Sequence, residues 1–273
     1  MGLMRLAVLP LLCVISSTVD AQAPPSSELA SGQTRVTIAK GKLLEFKGSN
    51  TALEITKAAG PEALFTVVKD AAAADIRVQM VTHDKGVTIC AVYPSKDPKK
   101  PNECLPGAKG RLSQGNPKDL PTLRLKIEVP AGVDISASTM FGDLRSTGAP
   151  GNLSLYSGRG NLAVVDGGTG DIQAGVGLLG NIDALIVQSA AGVAARRARF
   201  EAAGSGQIRV GMPTNMPFRY VISSQSALTI DPAFRFEKTT GPLLTGSHGG
   251  GAGEVSLSVD TGIAGRFILR RTN

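Results

Sequence analysis

Between Gly142 and Ile182 one short phrase occurs five times: Gly, then Asp or Asn, then Leu or Ile. The copies are Gly142-Asp143-Leu144, Gly151-Asn152-Leu153, Gly160-Asn161-Leu162, Gly170-Asp171-Ile172 and Gly180-Asn181-Ile182, at steps of 9, 9, 10 and 10 residues. A looser copy, Gly206-Gln207-Ile208, follows. A near-constant short period means stacked units, each burying its apolar face on its neighbours. The pattern constrains architecture strongly and chemistry hardly at all.

A strand of four or five residues with a tight corner takes about nine or ten residues. Gly accepts positive φ without steric cost, and Asn and Asp tolerate it better than other residues. Gly-Asn and Gly-Asp are therefore expected at corners, with the following Leu or Ile pointing inward. Alternation then places Leu153 and Leu155 on one face and Ser154 and Tyr156 on the other, and Leu162 and Val164 repeat the inward pattern. A meander of hairpins is the alternative. The constant step favours an all-β, right-handed β-solenoid with short coils of about 18–22 residues, two strands to a coil.

The first 21 residues read as an export signal: Arg5, an apolar run from Leu6 to Ile15, and Val19-Asp20-Ala21 at a cleavage site before Gln22. Leu12 precedes Cys13 where a lipid-attachment signal needs a small residue. Residues 22–34, rich in Pro, Ser and Ala, are expected to be disordered, and residues 35–273 to form one domain. No later segment is long and apolar enough for a transmembrane anchor. The chain is thus expected to be periplasmic, on the cell surface or secreted. Arg5 and Asp20 both leave with the signal, so the net charge stays at +7. That favours acidic partners such as an anionic glycan or a lipid head group, and an envelope protein is a further candidate partner. With 4% aromatic residues and no Trp, stacking on nucleic-acid bases is not expected.

Strands of alternating pattern are expected at Leu43 to Phe46, Leu53 to Thr56, Leu64 to Val68, Ile76 to Val81, Val87 to Val92 and Leu123 to Val129, with a short helical turn at Ala71 to Ala74. Phe218 to Ile230, Glu254 to Val259 and the segment from Phe267 read as closing strands. Residues 94–121 interrupt the series with a Pro- and Lys-rich loop, long enough to need an anchor. Cys90 and Cys104 survive processing and bracket its start, and an even count in an exported chain reads as a disulfide. A metal pair is the alternative, but no further Cys or His lies near.

Four segments follow one another along the chain. Val87-Thr88-Ile89-Cys90-Ala91-Val92-Tyr93-Pro94 and Pro101-Asn102-Glu103-Cys104 come first, then Ile127-Glu128-Val129-Pro130-Ala131-Gly132-Val133, then the Gly ladder. In this the chain resembles the bacterial exported putative-adhesin domain family, related to toastrack-like envelope domains, over roughly Lys42 to Val259. The resemblance implies a β-solenoid outside the cytoplasm and carries no catalytic residues. Val187 to Arg199 departs from it by lacking the Gly-Asp corner.

Motifs for chemistry are weak. Gly175-Val176-Gly177-Leu178-Leu179-Gly180 matches a dinucleotide fingerprint but lacks the helix that would hold a pyrophosphate. Gly167-Gly168-Thr169-Gly170-Asp171-Ile172 has Ile where calcium-binding repeats need Asp. His83 and His248 are expected at the surface, with no nucleophile elbow near. Paired acids for glycoside hydrolysis come from distant positions and stay open. The densest basic cluster is Arg196, Arg197 and Arg199; Arg197 and Arg199 share a strand face and are the candidates for contact with an anionic ligand, or else form a solvated face. Lys96, Lys99, Lys100, Lys109 and Lys118 make the loop basic, with the same two readings.

The expected function is therefore an adhesin or a surface or periplasmic interaction scaffold, without catalytic residues or cofactor. The alternatives are an envelope-stress scaffold binding a membrane protein and a polysaccharide-degrading β-solenoid enzyme.

Overall fold

The computed structural model describes residues 26–108, 110–113, 116, 119–168, 170–187, 196–224, 227–234, 242–249 and 255–272. The signal-like segment 1–21, residues 22–25, Lys109 and Lys118 lie outside the described residues. The chain opens with β1 (Ser26–Leu29), β2 (Gly32–Thr37), β3 (Leu43–Lys57), β4 (Glu62–Val68), β5 (Arg77–His83) and β6 (Gly86–Val92). A short hairpin, β7 (Glu103–Cys104) with β8 (Gly110–Arg111), precedes β9 (Leu123–Val129) and β10 (Asp134–Phe141). The Gly ladder forms β11 (Leu144–Thr147), β12 (Leu153–Ser157), β13 (Leu162–Val165), β14 (Ile172–Val176) and β15 (Ile182–Leu185). Then follow β16 (Arg196–Ala202), β17 (Gln207–Pro213), β18 (Phe218–Ser223), β19 (Leu228–Ile230), β20 (Leu243–His248), β21 (Val255–Asp260) and β22 (Arg266–Thr272). A 3-10 turn at Ala71–Ala73 is capped by the Asp70 carboxylate, which accepts the Ala73 N–H at 3.0 Å.

Successive strands alternate between two mostly parallel ladders. The first runs β6, β3, β10, β12, β14, β16, β21, β18 in parallel, with β5 and β20 added antiparallel at its ends. The second runs β9, β3, β11, β13, β15, β17, β22, β19 in parallel, with β4 antiparallel on β9. Strand β3 belongs to both and turns between them near Gly48. The register gives the length of each rung. Ile135 to Leu153 and Leu144 to Leu162 are steps of 18 residues, and Leu153 to Ile172 and Leu162 to Ile182 are steps of 19 and 20. Ile172 pairs with Ala198 and Ile182 with Ile208, a step of 26, because more residues separate β15 from β16 than separate the earlier strands.

The two ladders close on one continuous hydrophobic core. Leu144, Leu153, Leu162, Ile172, Ile182 and Ile208 are all at most 5% exposed, as the corner pattern requires. Along one row side-chain volumes alternate: Ala137 pairs with Leu155, Leu155 with Ala174, and Ala174 with Phe200. Elsewhere large residues stack on large ones, as in Leu144–Leu162–Ile182–Ile208, and each buried Leu or Ile contributes about 1.5–3 kcal/mol.

The corners work differently from the sequence expectation. Gly142 has positive φ, but Gly151, Gly160, Gly170 and Gly180 do not, and no described Asn or Asp does. What excludes a side chain is close stacking. A Cβ on Gly160 would lie 1.8 Å from the Gly142 carbonyl oxygen, and one on Gly180 would lie 2.2 Å from that of Gly160. The Asx residues form side-chain ladders up both corners. Asp143 accepts the Asn161 N–H at 2.8 Å, Asn161 that of Asn181 at 3.1 Å, and Asn181 that of Gln207 at 2.9 Å. On the other corner Asp134 serves Asn152, Asn152 serves Asp171, and Asp171 serves Arg197. Each carbonyl or carboxylate oxygen satisfies a backbone donor that the corner would otherwise leave open.

One further expectation is corrected. Within 22–34, expected to be disordered, residues 26–29 form β1 on β5 and 32–37 begin β2 on β4. Backbone pairing suffices there, helped by Leu29, which is 2% exposed. At the other end the closing strands are out of chain order. β21 lies between β16 and β18, and β22 between β17 and β19, so the last strands fill a rung that the chain first skips.

Candidate recognition face

Strand alternation turns one row of side chains on the first ladder outward: Glu45, Ser136, Ser154, Gln173, Arg199 and Ser258 are successive register neighbours. The row beside it reads Lys47, Ser138, Tyr156, Gly175, Glu201 and Asp260. Small polar residues in mid-face leave a trough. One cavity of about 480 Å³ is lined by Ser136, Ser154, Gln173, Arg197 and Arg199. A second, of about 310 Å³, shares Ser154 and Gln173 and adds Tyr156, Gly175, Glu201 and Asp260.

The three arginines separate. Arg196 faces inward, 4% exposed, and belongs to no open binding surface. Its guanidinium meets the Asp166 carboxylate at 2.7 Å and donates to the Val187 carbonyl at 2.7 Å. Asp166 in turn accepts the N–H groups of Gly168 and Val187. This network ties Val187, just past β15, to Arg196, the first residue of β16, so Arg196 is corrected from candidate ligand contact to structural clamp. Arg197 and Arg199 do share the exposed face. Arg197 is paired with Asp171 at 2.7 Å and Arg199 with Glu201. Exposed pairs of this kind are worth about 0–1 kcal/mol, so a ligand anion can replace the carboxylate at little cost.

The disulfide joins Cys90 and Cys104, with Cα atoms 5.6 Å apart, and packs with Val81, Val92 and Leu112. It holds the β7–β8 hairpin over the β3 end of the same face. Beneath the hairpin the Lys47 amine donates to the carbonyls of Leu105 and Gly107. Burial lowers the Lys47 amine below its usual range, against the opposing pull of Glu45. Glu45 accepts the Gly107 N–H at 2.9 Å and the Thr88 hydroxyl at 2.7 Å, and Thr88 meets His83 at 3.0 Å. The His83 side chain is only 12% exposed, so it is not the surface residue expected. His248 is half-buried too, packed 5.3 Å from the rings of Phe218 and Phe234, with its Nε2 on the Thr214 carbonyl. Tyr93, also unanticipated, anchors the far end of the loop: its hydroxyl donates to the Asn50 carbonyl at 2.7 Å and lies 3.2 Å from that of Pro121. Lys96, Lys99 and Lys100 are exposed on this loop.

A further groove, of about 340 Å³ and not anticipated from sequence, lies on the outer face of the second ladder between Arg124, Lys126, Arg145 and the exposed Val68. Glu54 and Asp143 temper its charge. The outward charges in Leu-Arg-Leu-Lys-Ile-Glu were visible as alternation, but their meeting with Arg145 required the register of β9, β3 and β11. Among the described residues no three His, Cys, Asp or Glu side chains gather as metal ligands.

The class these features define is an all-β domain of two mostly parallel ladders with a polar exposed face. No protein-family model and no curated protein matches the chain. Among solved structures it is similar to a putative cell adhesion protein from Clostridium sporogenes ATCC 15579, at 13% identity over 91% of this chain and 100% of that one, with a TM-score of 0.50. It is also similar to a putative adhesin from Bacteroides fragilis NCTC 9343, at 10% identity over 92% and 99% of the two chains, with a TM-score of 0.36. The first of these likenesses is one of fold.

Proposed function

We propose that this chain is an exported, non-catalytic adhesion or interaction module, built as a right-handed β-solenoid, that recognises an acidic partner across the outer face of its first ladder. The observation that carries the reading is the trough on that face, with Arg197 and Arg199 at its edge in pairs that exchange at little cost. The net charge of +7 favours the same class of partner, an anionic glycan or a lipid head group. Export is supported by the Cys90–Cys104 disulfide and by the signal-like first 21 residues.

The test is retention of the mature protein on immobilised heparin and on phosphatidylglycerol vesicles, at low and moderate salt. Arg197→Ala with Arg199→Ala should cut retention at low salt severalfold without lowering the melting temperature. Retention unchanged in the double variant would refute the reading. One observation favours a second reading, a polysaccharide-active enzyme: Glu201 and Asp260 are register neighbours in the groove. Turnover of a polysaccharide, lost in Glu201→Gln, would replace binding by catalysis.

A further inference from the structure

The end of the trough away from Arg197 has a chemistry that an acidic ligand does not use. Tyr156 is 48% exposed, and its ring lies over Gly175: a Cβ at Gly175 would sit 3.3 Å from the tyrosine Cδ2. The missing side chain lets an aromatic ring rest along the sheet. Around it stand the Gln173 amide and the Ser154 hydroxyl, with no hydrogen-bond partner among the described residues, and the carboxylates of Glu201 and Asp260. Asp260 spends one oxygen on the Gly262 N–H at 2.9 Å.

Physical chemistry narrows the ligand. An anion would meet two carboxylates on adjacent strands, of which Glu201 is paired with Arg199 and Asp260 with no basic side chain among the described residues. A peptide strand would find no free backbone edge, because β12, β14, β16 and β21 are all paired on both sides. A saccharide fits every element: ring C–H groups pack on an aromatic face, and hydroxyls donate to carboxylates while exchanging bonds with an amide and a serine. The cavity is an open groove continuous with its neighbour through Ser154 and Gln173, which suits a chain of sugars rather than a single one.

We propose that the Tyr156 end of the groove is a saccharide-binding subsite, in which an uncharged sugar unit stacks on Tyr156 and hydrogen-bonds to Gln173, Ser154, Glu201 and Asp260. It rests on the reading of this face as the recognition surface, and extends it from charge to sugar chemistry.

The protein supplies its own reporter. It has no Trp and three Tyr; Tyr93 and Tyr220 are 1% and 2% exposed, so collisional quenching of tyrosine emission by iodide reports Tyr156. The mature protein is titrated with chitohexaose, cellohexaose, maltohexaose and mannohexaose, with heparin as an acidic arm. The expected result is that at least one uncharged hexaose protects the emission from iodide, with an affinity little changed between low and moderate salt. Tyr156→Ala should weaken that binding at least tenfold, read by calorimetry, while Tyr156→Phe, which keeps the stacking face, should bind within about threefold of the natural chain. Gln173→Ala provides a second variant, expected to weaken binding without touching the ring. No response to any uncharged hexaose at millimolar concentration overturns the proposal, as does binding unaffected by Tyr156→Ala. A response to heparin alone that survives Tyr156→Ala but not Arg197→Ala with Arg199→Ala overturns the saccharide subsite while leaving the acidic-partner reading standing.

Discussion

Asn161 and Asn181 are twenty residues apart in the chain and one rung apart in the stack, and the Asn161 side-chain oxygen accepts both the backbone N–H of Asn181 at 3.1 Å and its side-chain amide at 3.0 Å. Asn161 in turn gives its own amide to Asp143 at 3.2 Å. Together with the Gly142–Gly160–Gly180 approach, this makes the corner a stacked seam rather than a set of independent turns.

The seam predicts a sharp contrast between glycines. Gly160→Ala puts a methyl group 1.8 Å from a carbonyl oxygen, whereas Gly60 has nothing within 4 Å of its would-be Cβ. Chemical denaturation should show Gly160→Ala losing several kcal/mol, in the range of severe overpacking, and Gly60→Ala changing little. Asn161→Ala, which removes three hydrogen bonds at an exposed seam, should cost about 1–3 kcal/mol.

The Asp166–Arg196 pair is 2% and 5% exposed at its side chains, so losing one partner strands a buried charge. Arg196→Met should destabilise the protein by about 3–5 kcal/mol. Arg196→Lys should not restore it, because a single ammonium cannot serve the carboxylate and the Val187 carbonyl together. Equal melting temperatures for the natural chain and Arg196→Met would contradict the clamp.

Much of the architecture was legible because its causes are local. The ladder period and the inward Leu and Ile follow from spacing and alternation, and the Cys90–Cys104 pair from the two cysteines left beyond the signal-like segment. The parity that puts Arg197 and Arg199 on one face was legible too, and the same parity sends Arg196 inward. What was hidden depends on partners far away in the chain. Glycines that looked like positive-φ corners are there because another rung lies against them. Glu201 and Asp260 become neighbours only because β21 fills the skipped rung. The polar strand β2 has almost no apolar signal and is defined by its pairing with β4.

The disulfide hairpin covers Lys47, which gives two linked expectations. Free-thiol titration of the denatured, unreduced protein should find no thiol from Cys90 or Cys104, and replacing both by Ser should cost about 2–4 kcal/mol. The Lys47 amine should titrate below the usual lysine range by NMR of reductively methylated protein, because burial penalises its charged form. A depressed folded value means the unfolded chain holds this proton more firmly, so Lys47 adds stability as pH rises through the window just below its usual 10.5. In the double Ser variant that depression should shrink as the hairpin lifts.

The out-of-order final rung predicts a length effect. A chain ending before Val255 deprives β19 of its paired strand and leaves β18 only β20. Hydrogen exchange should then show residues 218–223 and 228–230 unprotected while 153–157 and 162–165 stay slow. Retained protection of 228–230 in the shortened chain would contradict the order of strands.

On the proposed function, the outer face of the first ladder, and not that of the second, receives an acidic partner. Arginine modification by phenylglyoxal, with and without saturating heparin and read by mass spectrometry, tests it most directly. Arg197 and Arg199 should be protected severalfold by heparin while Arg124 and Arg145, on the opposite ladder, react at their free rates. Protection of Arg124 and Arg145 with Arg197 and Arg199 still reactive would contradict the account.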